Sequence, residues 1–397
     1  MKKILMVCYG GGHVKIIASL YQSLKSKYDI HILALTTASS YLKNIDIPHN
    51  TVESFRENIP NEALCYGEEL AREIGENGII PLSESVCYLG VSFYNLVKRL
   101  GSEKKARELY QEYGRSCFLP TEFLSDVIDL VSPDIVVTTN APRFERATLI
   151  AAKNKIIPSL CINDNLWIEN GALQLIESEC VDYLCVVTHS VKNLILKRTG
   201  FPEEKILVTG NPVFDLIKRS PAIRNNNDKP RVLYADCKLP MVHPFYHDIV
   251  IDKENLDVDI RLELERLACM GAIDVTFRAH PNQQIDYSGF SSVSFSSHKD
   301  SIHDIIHNFD VVVTAISTVG LEGLIAGLGL VTIEGTVYNK KESYSKLGLS
   351  TPIYEANSLL SAIKKEISRE GNKISNDLYQ GLASDNISMV IRNLIGQ

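Results

Sequence analysis

Residues 310–334, DVVVTAISTVGLEGLIAGLGLVTIE, restrict the fold of this 397-residue chain more than any other stretch. Val311, Val312 and Val313 form a β-branched run ending at Thr314, which predicts a strand buried on both faces. Residues 315–318 are a turn of small and hydroxyl side chains. Leu321, Leu324, Ile325 and Leu328 then recur at helical spacing, and Gly327 and Gly329 stop the helix before a second strand at 330–333. A parallel β-α-β unit opens its ligand crevice at the carboxyl ends of its strands. Thr314, Ser317, Thr318, the helix-start amides and Glu322 belong to that crevice. The amides favour phosphate, and a carboxylate one turn on suits two sugar hydroxyls. Ser317 and Thr318 can equally be plain helix caps. Capping alone gives no reason for Glu322 on an otherwise apolar helix, so the stretch reads as a nucleotide site.

The length predicts two domains, each able to bury a core. Apolar residues at 45% and charged residues at 22% belong to a soluble globular chain. A formal net charge of −7 argues against a nucleic-acid partner, which needs a concentrated basic face. The nine cysteines show no CxxC pairs or metal-finger spacing, so reduced core thiols and a cytoplasmic setting are expected. Met1-Lys2-Lys3 is basic, but the apolar run behind it breaks at Gly10 and reads as a strand, not a signal peptide. No segment is long enough to span a bilayer, which leaves peripheral contact with the inner face of a membrane open.

The amino terminus shows the same alternation. Residues 4–9 predict a buried strand, Gly10-Gly11-Gly12-His13 a turn, 15–28 a helix, and 30–36 a second strand. Gly11 and Gly12 let a ligand approach the backbone. The pattern is not GxGxxG, and the acid expected after the second strand is missing, which argues against a dinucleotide site. His13, at the strand's carboxyl end, suits a general base; a helix-start histidine bonded to local backbone is the plainer alternative. Residues 60–119 are helical and charged, with Tyr88, Phe93, Tyr94, Tyr110 and Tyr113 serving either a core or an acceptor pocket. A strand at 133–138 leads to Asn140-Ala141-Pro142-Arg143. Another at 159–162 delivers Asn163, Asp164, Asn165 and, further on, Glu169. Asp164 and Glu169 can act as base or hold a sugar, or be ordinary turn residues.

The segment VTGNPVFD (208–215) makes a rigid turn through Asn211. Polar RNNNDKP then marks an interdomain linker at 216–229. The second half repeats the alternation: a strand at 231–235 delivers Lys238, and one at 274–277 delivers Arg278 and His280. His303 and His307, four apart, have metal-ligand spacing but no third ligand, so they read as an exposed helix face. The expected organisation is a domain at 1–215 with a helical insertion near 55–125, the linker, a nucleotide-sugar domain at 230–375, and a terminal helix at 376–397 that could return to the first domain.

In that organisation the chain resembles the GT-B superfamily: nucleotide-sugar glycosyltransferases and the related UDP-N-acetylglucosamine 2-epimerases. GGGHV is similar to the glycine-rich loop of inverting members, which implies a base or acceptor-orienting role for His13. VTGNPVFD is similar to the segment before the interdomain linker in epimerases and lipid-linked sugar transferases. STVGLEGLIAGLGLV is similar to the donor site, implying that Glu322 binds the ribose. RAHPN resembles the His-Pro motif of bacterial transferases that use cytidine nucleotides, implying that His280, Ser317 and Thr318 meet donor phosphate. The resemblance implies two Rossmann-like domains facing each other across a cleft. The implied activity is glycosyl transfer from a UDP-sugar to a glycan or lipid-linked acceptor in bacterial surface polysaccharide synthesis. Gly11, Gly12, Asn211, Lys238, Arg278 and Thr314 complete the expected nucleotide-sugar set, with His13, Asp164 and Glu169 as catalytic candidates. No DxD-like pair stands at a strand end, so neither a metal nor a cofactor is expected; Arg278, His280, hydroxyls and amides can stabilise the departing nucleotide. CMP-sugar transfer is the alternative. The epimerase reading loses ground because Arg-Pro-Glu is replaced by Gly-Gly-His and the Gly-Gly-x-x-Glu-Glu stretch by Ser-Thr-Val-Gly-Leu-Glu. A binding module without turnover is the alternative from another class.

Overall fold

The computed structural model describes residues 1–74, 80–166, 168, 172–217, 229–243, 249–251, 254–280, 283, 285–297, 300–340, 343–369, 378 and 382–396. The chain divides into two compact units, Met1–Asp215 with Gln380–Gln397, and Leu216–Tyr379. Most of the expected linker at 216–229 lies outside the described residues.

In unit 1 the elements are β1 (Lys3–Cys8), α1 (Gly12–Leu24), β2 (Asp29–Ala34), α2 (Ala38–Asn44), α3 (Asn61–Ile74), α4 (Leu82–Leu100), α5 (Glu103–Tyr113) and α6 (Thr121–Val131). These are followed by β3 (Ile135–Thr138), α7 (Phe144–Asn154), β4 (Ser159–Ile162), α8 (Ala172–Glu177), β5 (Tyr183–Val186), α9 (His189–Arg198) and β6 (Ile206–Val208). The six strands form one parallel sheet in the order β2-β1-β3-β4-β5-β6. Strand order reverses beside β1, and it is there, at the carboxyl end, that an α/β sheet opens a crevice. The continuous apolar run of β1 follows from burial on both faces: Ile4, Met6, Val7 and Cys8 are sealed from solvent.

The inserted helices α3 to α6 share one core with β1 and β3, built around Tyr66, Tyr88, Phe93, Phe118 and Phe123. Most of the insertion's aromatics pack there edge-on or stacked, as Tyr110 does on Phe118 at 5.3 Å. Tyr113 is the exposed exception.

Unit 2 contains β7 (Arg231–Asp236), α10 (Leu256–Cys269), β8 (Asp274–Ala279), β9 (Ser294–Phe295), α11 (Ile302–Ile305), β10 (Val311–Thr314), α12 (Val319–Ala326), β11 (Gly329–Ile333), β12 (Thr351–Ile353) and α13 (Leu359–Ser368). Its sheet is also six-stranded and parallel, ordered β12-β11-β10-β7-β8-β9. The Val311–Val313 run lies between β11 and β7, and all three valines are fully buried.

The chain ends in α14 (Ala383–Leu394), which packs on α1 within unit 1. Asp215 explains its anchoring, because its carboxylate accepts from the Ala383 and Ser384 amides, each at 2.8 Å. A carboxylate on first-turn amides satisfies donors the helix cannot and complements its dipole.

All nine cysteines are free. Burial pushes the Cys180 thiol up to about 11 and the Cys185 thiol up to about 12, so neither supplies a thiolate nucleophile near neutral pH. Among the described residues no helix is long and apolar enough to cross a membrane.

Candidate functional site

The β1–α1 corner of unit 1 is built by three glycines, each for its own reason. A Cβ on Gly10 would fall 1.8 Å from Thr37 Oγ1, so the backbone can pass there only without a side chain. Gly11 has φ +73°, which a side chain strains. Gly12 faces Asp164, and a Cβ on it would lie 3.4 Å from Asp164 Oδ2. The helix begins at Gly12, earlier than the sequence pattern suggested, so His13 belongs to its first turn.

The local-backbone alternative for His13 is not what the fold produces. Its Nδ1 is hydrogen-bonded to Thr139 Oγ1, 126 residues away. Thr139 Oγ1 in turn donates to Glu145 Oε2 at 2.7 Å. Glu145, fully buried in the first turn of α7, also accepts from the Ala141 amide at 2.8 Å and, through Oε1, from the Tyr9 amide at 3.1 Å. The threonine has one proton, and Glu145 takes it. Thr139 therefore offers a lone pair to His13, so Nδ1 carries the hydrogen and Nε2 is the basic nitrogen; this tautomer follows from the hydrogen-bond network. His13 Nδ1 lies 3.9 Å from Glu145 Oε1, and the His13 side chain keeps 26% of its surface accessible. The arrangement can take a proton at Nε2 and stabilise the resulting imidazolium through the threonine.

Neighbouring polar residues hold this corner. Asn163 Oδ1 accepts from Asn140 Nδ2 at 2.7 Å, and its own amide donates to the Asn165 carbonyl. Asp164 is buried, with Oδ1 accepting from Asn165 Nδ2 at 2.9 Å. Asn211 is committed at both ends, donating to the Asp164 carbonyl at 3.2 Å and accepting from the Val213 amide at 3.0 Å. It belongs to unit 1 and fixes the loop carrying Asp164. Glu169 lies outside the described residues.

In unit 2 the corner before α12 is differently employed. Thr314 Oγ1 donates to the Ala235 carbonyl at 3.2 Å and accepts from the Ser317 amide at 3.2 Å. Ser317 Oγ accepts from the Val319 amide, and its carbonyl from the Gly320 amide. Thr318 is the N-cap residue but makes no side-chain cap bond. The Tyr344 hydroxyl donates to the carbonyls of Ile316 and Ser317, each at 3.3 Å, pinning the loop from the other side.

Glu322 is 3% exposed, and its Oε2 stands 3.1 Å from His303 Nε2. This corrects the sequence reading of His303 as part of an exposed helix face: its side chain is 12% exposed and faces the acid, which also gives Glu322 a protein partner on its apolar helix. Arg278 carries the loop behind that pair, donating to Ser296 Oγ at 2.6 Å and to the carbonyls of Ser297 and Asp300, each at 2.9 Å. Desolvation lowers its pKa from the ordinary guanidinium value. His280 and Lys238 are exposed at the carboxyl ends of β8 and β7, the Lys238 amide bonded to Gln283 Oε1 at 2.7 Å. Between them Asp236 is sealed, accepting from Arg261 at 2.7 and 3.1 Å and from the Tyr287 hydroxyl at 2.7 Å. Asp236 thus fixes this edge of the sheet and offers a ligand nothing. Among the described residues no group of three or more His, Cys, Asp or Glu converges to hold a metal ion.

No protein-family model matches the chain, and no curated protein matches it by sequence. Solved structures do. The UDP-GlcNAc 2-epimerase of Methanocaldococcus jannaschii, in complex with UDP-GlcNAc and UDP, superposes with a TM-score of 0.61 at 13% identity, covering 98% of this chain and 99% of that one. The Neisseria meningitidis UDP-GlcNAc 2-epimerase bound to UDP-GlcNAc gives 0.62 at 14% identity, over 98% and 100%. MurG of Acinetobacter baumannii gives 0.57 at 13%, over 99% and 100%. The fold is GT-B.

Within this GT-B chain, sequence reasoning missed Thr139, Glu145 and the partnership of His303 with Glu322. The signal for Glu145 was present: an acid in the first turn of a helix whose inward side is otherwise mostly Phe144, Leu149 and alanines, the argument that singled out Glu322. Thr139 had none, because a threonine after a strand is commonplace.

Proposed function

We propose that this chain is a glycosyltransferase, moving a sugar from a nucleotide-sugar donor, a UDP-sugar by preference, to a hydroxyl of a glycan or lipid-linked acceptor without a metal. The observation that carries the reading is the His13–Thr139–Glu145 relay, which presents one neutral imidazole nitrogen as a base. In the reaction the acceptor oxygen attacks the anomeric carbon, its proton passes to His13 Nε2, and the bond from that carbon to the phosphate oxygen breaks. The nucleoside diphosphate leaves with the electron pair. A single displacement of this kind inverts the anomeric centre. His13 does not act alone in this reading: Asp164, beside Gly12, orients the acceptor.

The donor falls to unit 2 in this proposal. Ser317, Thr318 and His280 meet the phosphates, and Glu322, held in orientation by His303, takes the ribose hydroxyls. The existing bonds of Thr314 and Arg278 make them builders of that loop region, and Lys238 is an exposed cation beside it. Two of the solved structures that superpose on this chain are UDP-GlcNAc 2-epimerases with UDP-GlcNAc bound, and a third is a complex of S. aureus MnaA with UDP, which supports uridine over cytidine as the donor base.

The same superpositions favour one second reading, epimerisation at C2. That chemistry removes a proton from one face of the sugar and returns one to the other, so it needs two groups, and Asp164 would have to be the second. Incubating the protein with UDP-GlcNAc in D2O separates the readings. Deuterium entering C2 without an acceptor establishes epimerisation and overturns transfer. The transferase reading expects UDP and UDP-sugars to raise the melting temperature, with no exchange at C2 and no response to EDTA. A ligand at a hundredfold over its Kd stabilises by about 2.7 kcal/mol. Stabilisation by CMP or CDP alone would transfer the proposal to cytidine donors.

A further inference from the structure

Arg143, at the β3–α7 corner, is a cation with no hydrogen-bonded counter-charge. Its guanidinium carbon lies 4.9 Å from the centre of the Tyr9 ring, and no described residue forms a hydrogen bond or ion pair with its side chain. The residue is partly exposed, whereas Arg146 Nε is sealed without a partner. The acid nearest to it in sequence, Glu145, is fully engaged by Tyr9, Thr139 and Ala141. Burial works against its charge, but the nearby Glu145 carboxylate favours it, and its pKa stays above the ordinary value. The guanidinium's donors are left without hydrogen-bond partners among the described residues, and its planar fork matches a phosphate or carboxylate with two parallel hydrogen bonds. The backing is rigid: the Tyr9 hydroxyl lies 2.9 Å from the Tyr88 hydroxyl, and Tyr88 stacks on Phe144 at 4.7 Å. The Tyr9 amide donates to Glu145, and His13 reaches the same carboxylate through Thr139, so the ring under the guanidinium and the base are positioned by one acid.

We propose that Arg143 makes the unit 1 site select a substrate that carries an anionic group, a phosphate or a carboxylate, close to the hydroxyl deprotonated by His13. The inference rests on the transferase reading for the identity of that hydroxyl, but not for the anion preference itself. Arg143 is a specificity-determining residue in this proposal, and the acceptor is an acidic sugar or a sugar phosphate.

The test measures binding of glucose, glucose 6-phosphate, glucuronate and inorganic phosphate by calorimetry, with UDP present to occupy the donor site. The wild-type protein is compared with Arg143→Gln and with Arg143→Lys, which keeps the charge should the glutamine variant fold poorly. Either anionic sugar is expected to bind at least about tenfold tighter than glucose, since hydrogen bonds to charged groups are the strong ones. Arg143→Gln removes that margin, and Arg143→Lys restores part of it. A preference for glucose 6-phosphate and inorganic phosphate assigns a phosphate; a preference for glucuronate assigns a carboxylate. Equal binding of neutral and anionic sugars by the wild type overturns the proposal, as does an anion preference that survives in Arg143→Gln. Loss of UDP binding in Arg143→Gln also overturns it, because the arginine would then serve the donor. UDP that never binds, with the anion preference present and sensitive to Arg143, removes the transferase reading and leaves the anion selectivity standing.

Discussion

The β1–α1 corner of unit 1 and the β10–α12 corner of unit 2 are the same local structure, and they put their polar groups to opposite use. Each runs from a buried parallel strand through a tight turn into a helix that carries or meets a buried acid. In unit 1 that acid, Glu145, accepts three hydrogen bonds and orients a histidine through Thr139. In unit 2 the acid, Glu322, has one histidine directly against it, and the turn hydroxyls of Thr314 and Ser317 serve backbone groups. A relay that leaves one imidazole nitrogen facing outward suits proton transfer. A turn braced by its own hydroxyls suits a rigid surface on which a ligand rests. Under the transferase reading one supersecondary unit serves two kinds of chemistry, and the side chains that arrive from elsewhere in the sheet decide which.

The comparison breaks most sharply at His13. Under the transferase reading, His13→Gln lowers turnover by about 10² to 10⁴, the usual contribution of a positioned base, while its melting temperature stays near that of the wild type. Unchanged turnover would end the relay's role as base. Glu145→Ala strands the Tyr9 and Ala141 amides and the Thr139 hydroxyl in a buried site, so the expected loss of folding stability is about 3 kcal/mol in urea unfolding. A loss well under 1 kcal/mol would mean that water replaces the carboxylate. Thr139→Val keeps the shape of the side chain and deletes only the bridge. Turnover should then fall about tenfold to a hundredfold, with KM near its original value, which separates orientation of the base from substrate binding.

In unit 2, Glu322→Gln should weaken UDP binding about tenfold, and His303→Gln should do so by less, since the histidine acts through the acid. If His303→Gln costs more than Glu322→Gln, the histidine itself holds the nucleotide and the two corners are more alike than drawn. The smallest effect is expected from chelation: EDTA should leave nucleotide binding and turnover unchanged, and a loss restored by a divalent cation would overturn the metal-independent reading.

Much of the fold was legible in the sequence, because apolar periodicity records burial. The Val311–Val313 run, the apolar stretch behind Lys3 and the glycine breaks each read correctly as strand and turn, since a parallel strand covered on both faces admits few polar residues. The terminal helix was visible as a pattern, but its anchor was not: Asp215 and Ala383 stand 168 positions apart. Glu322, Ser317 and His13 stood out as polar groups at strand ends. What joins them did not. Thr139 meets His13 because β1 and β3 are neighbours in the sheet, and His303 meets Glu322 because the short helix before β10 lies against α12. Local sequence determined which segments are strands and helices and which polar residues stand at their ends. Tertiary structure alone decided which of those residues meet, because a polar side-chain contact requires atoms about 3 Å apart and periodicity carries no distance between segments.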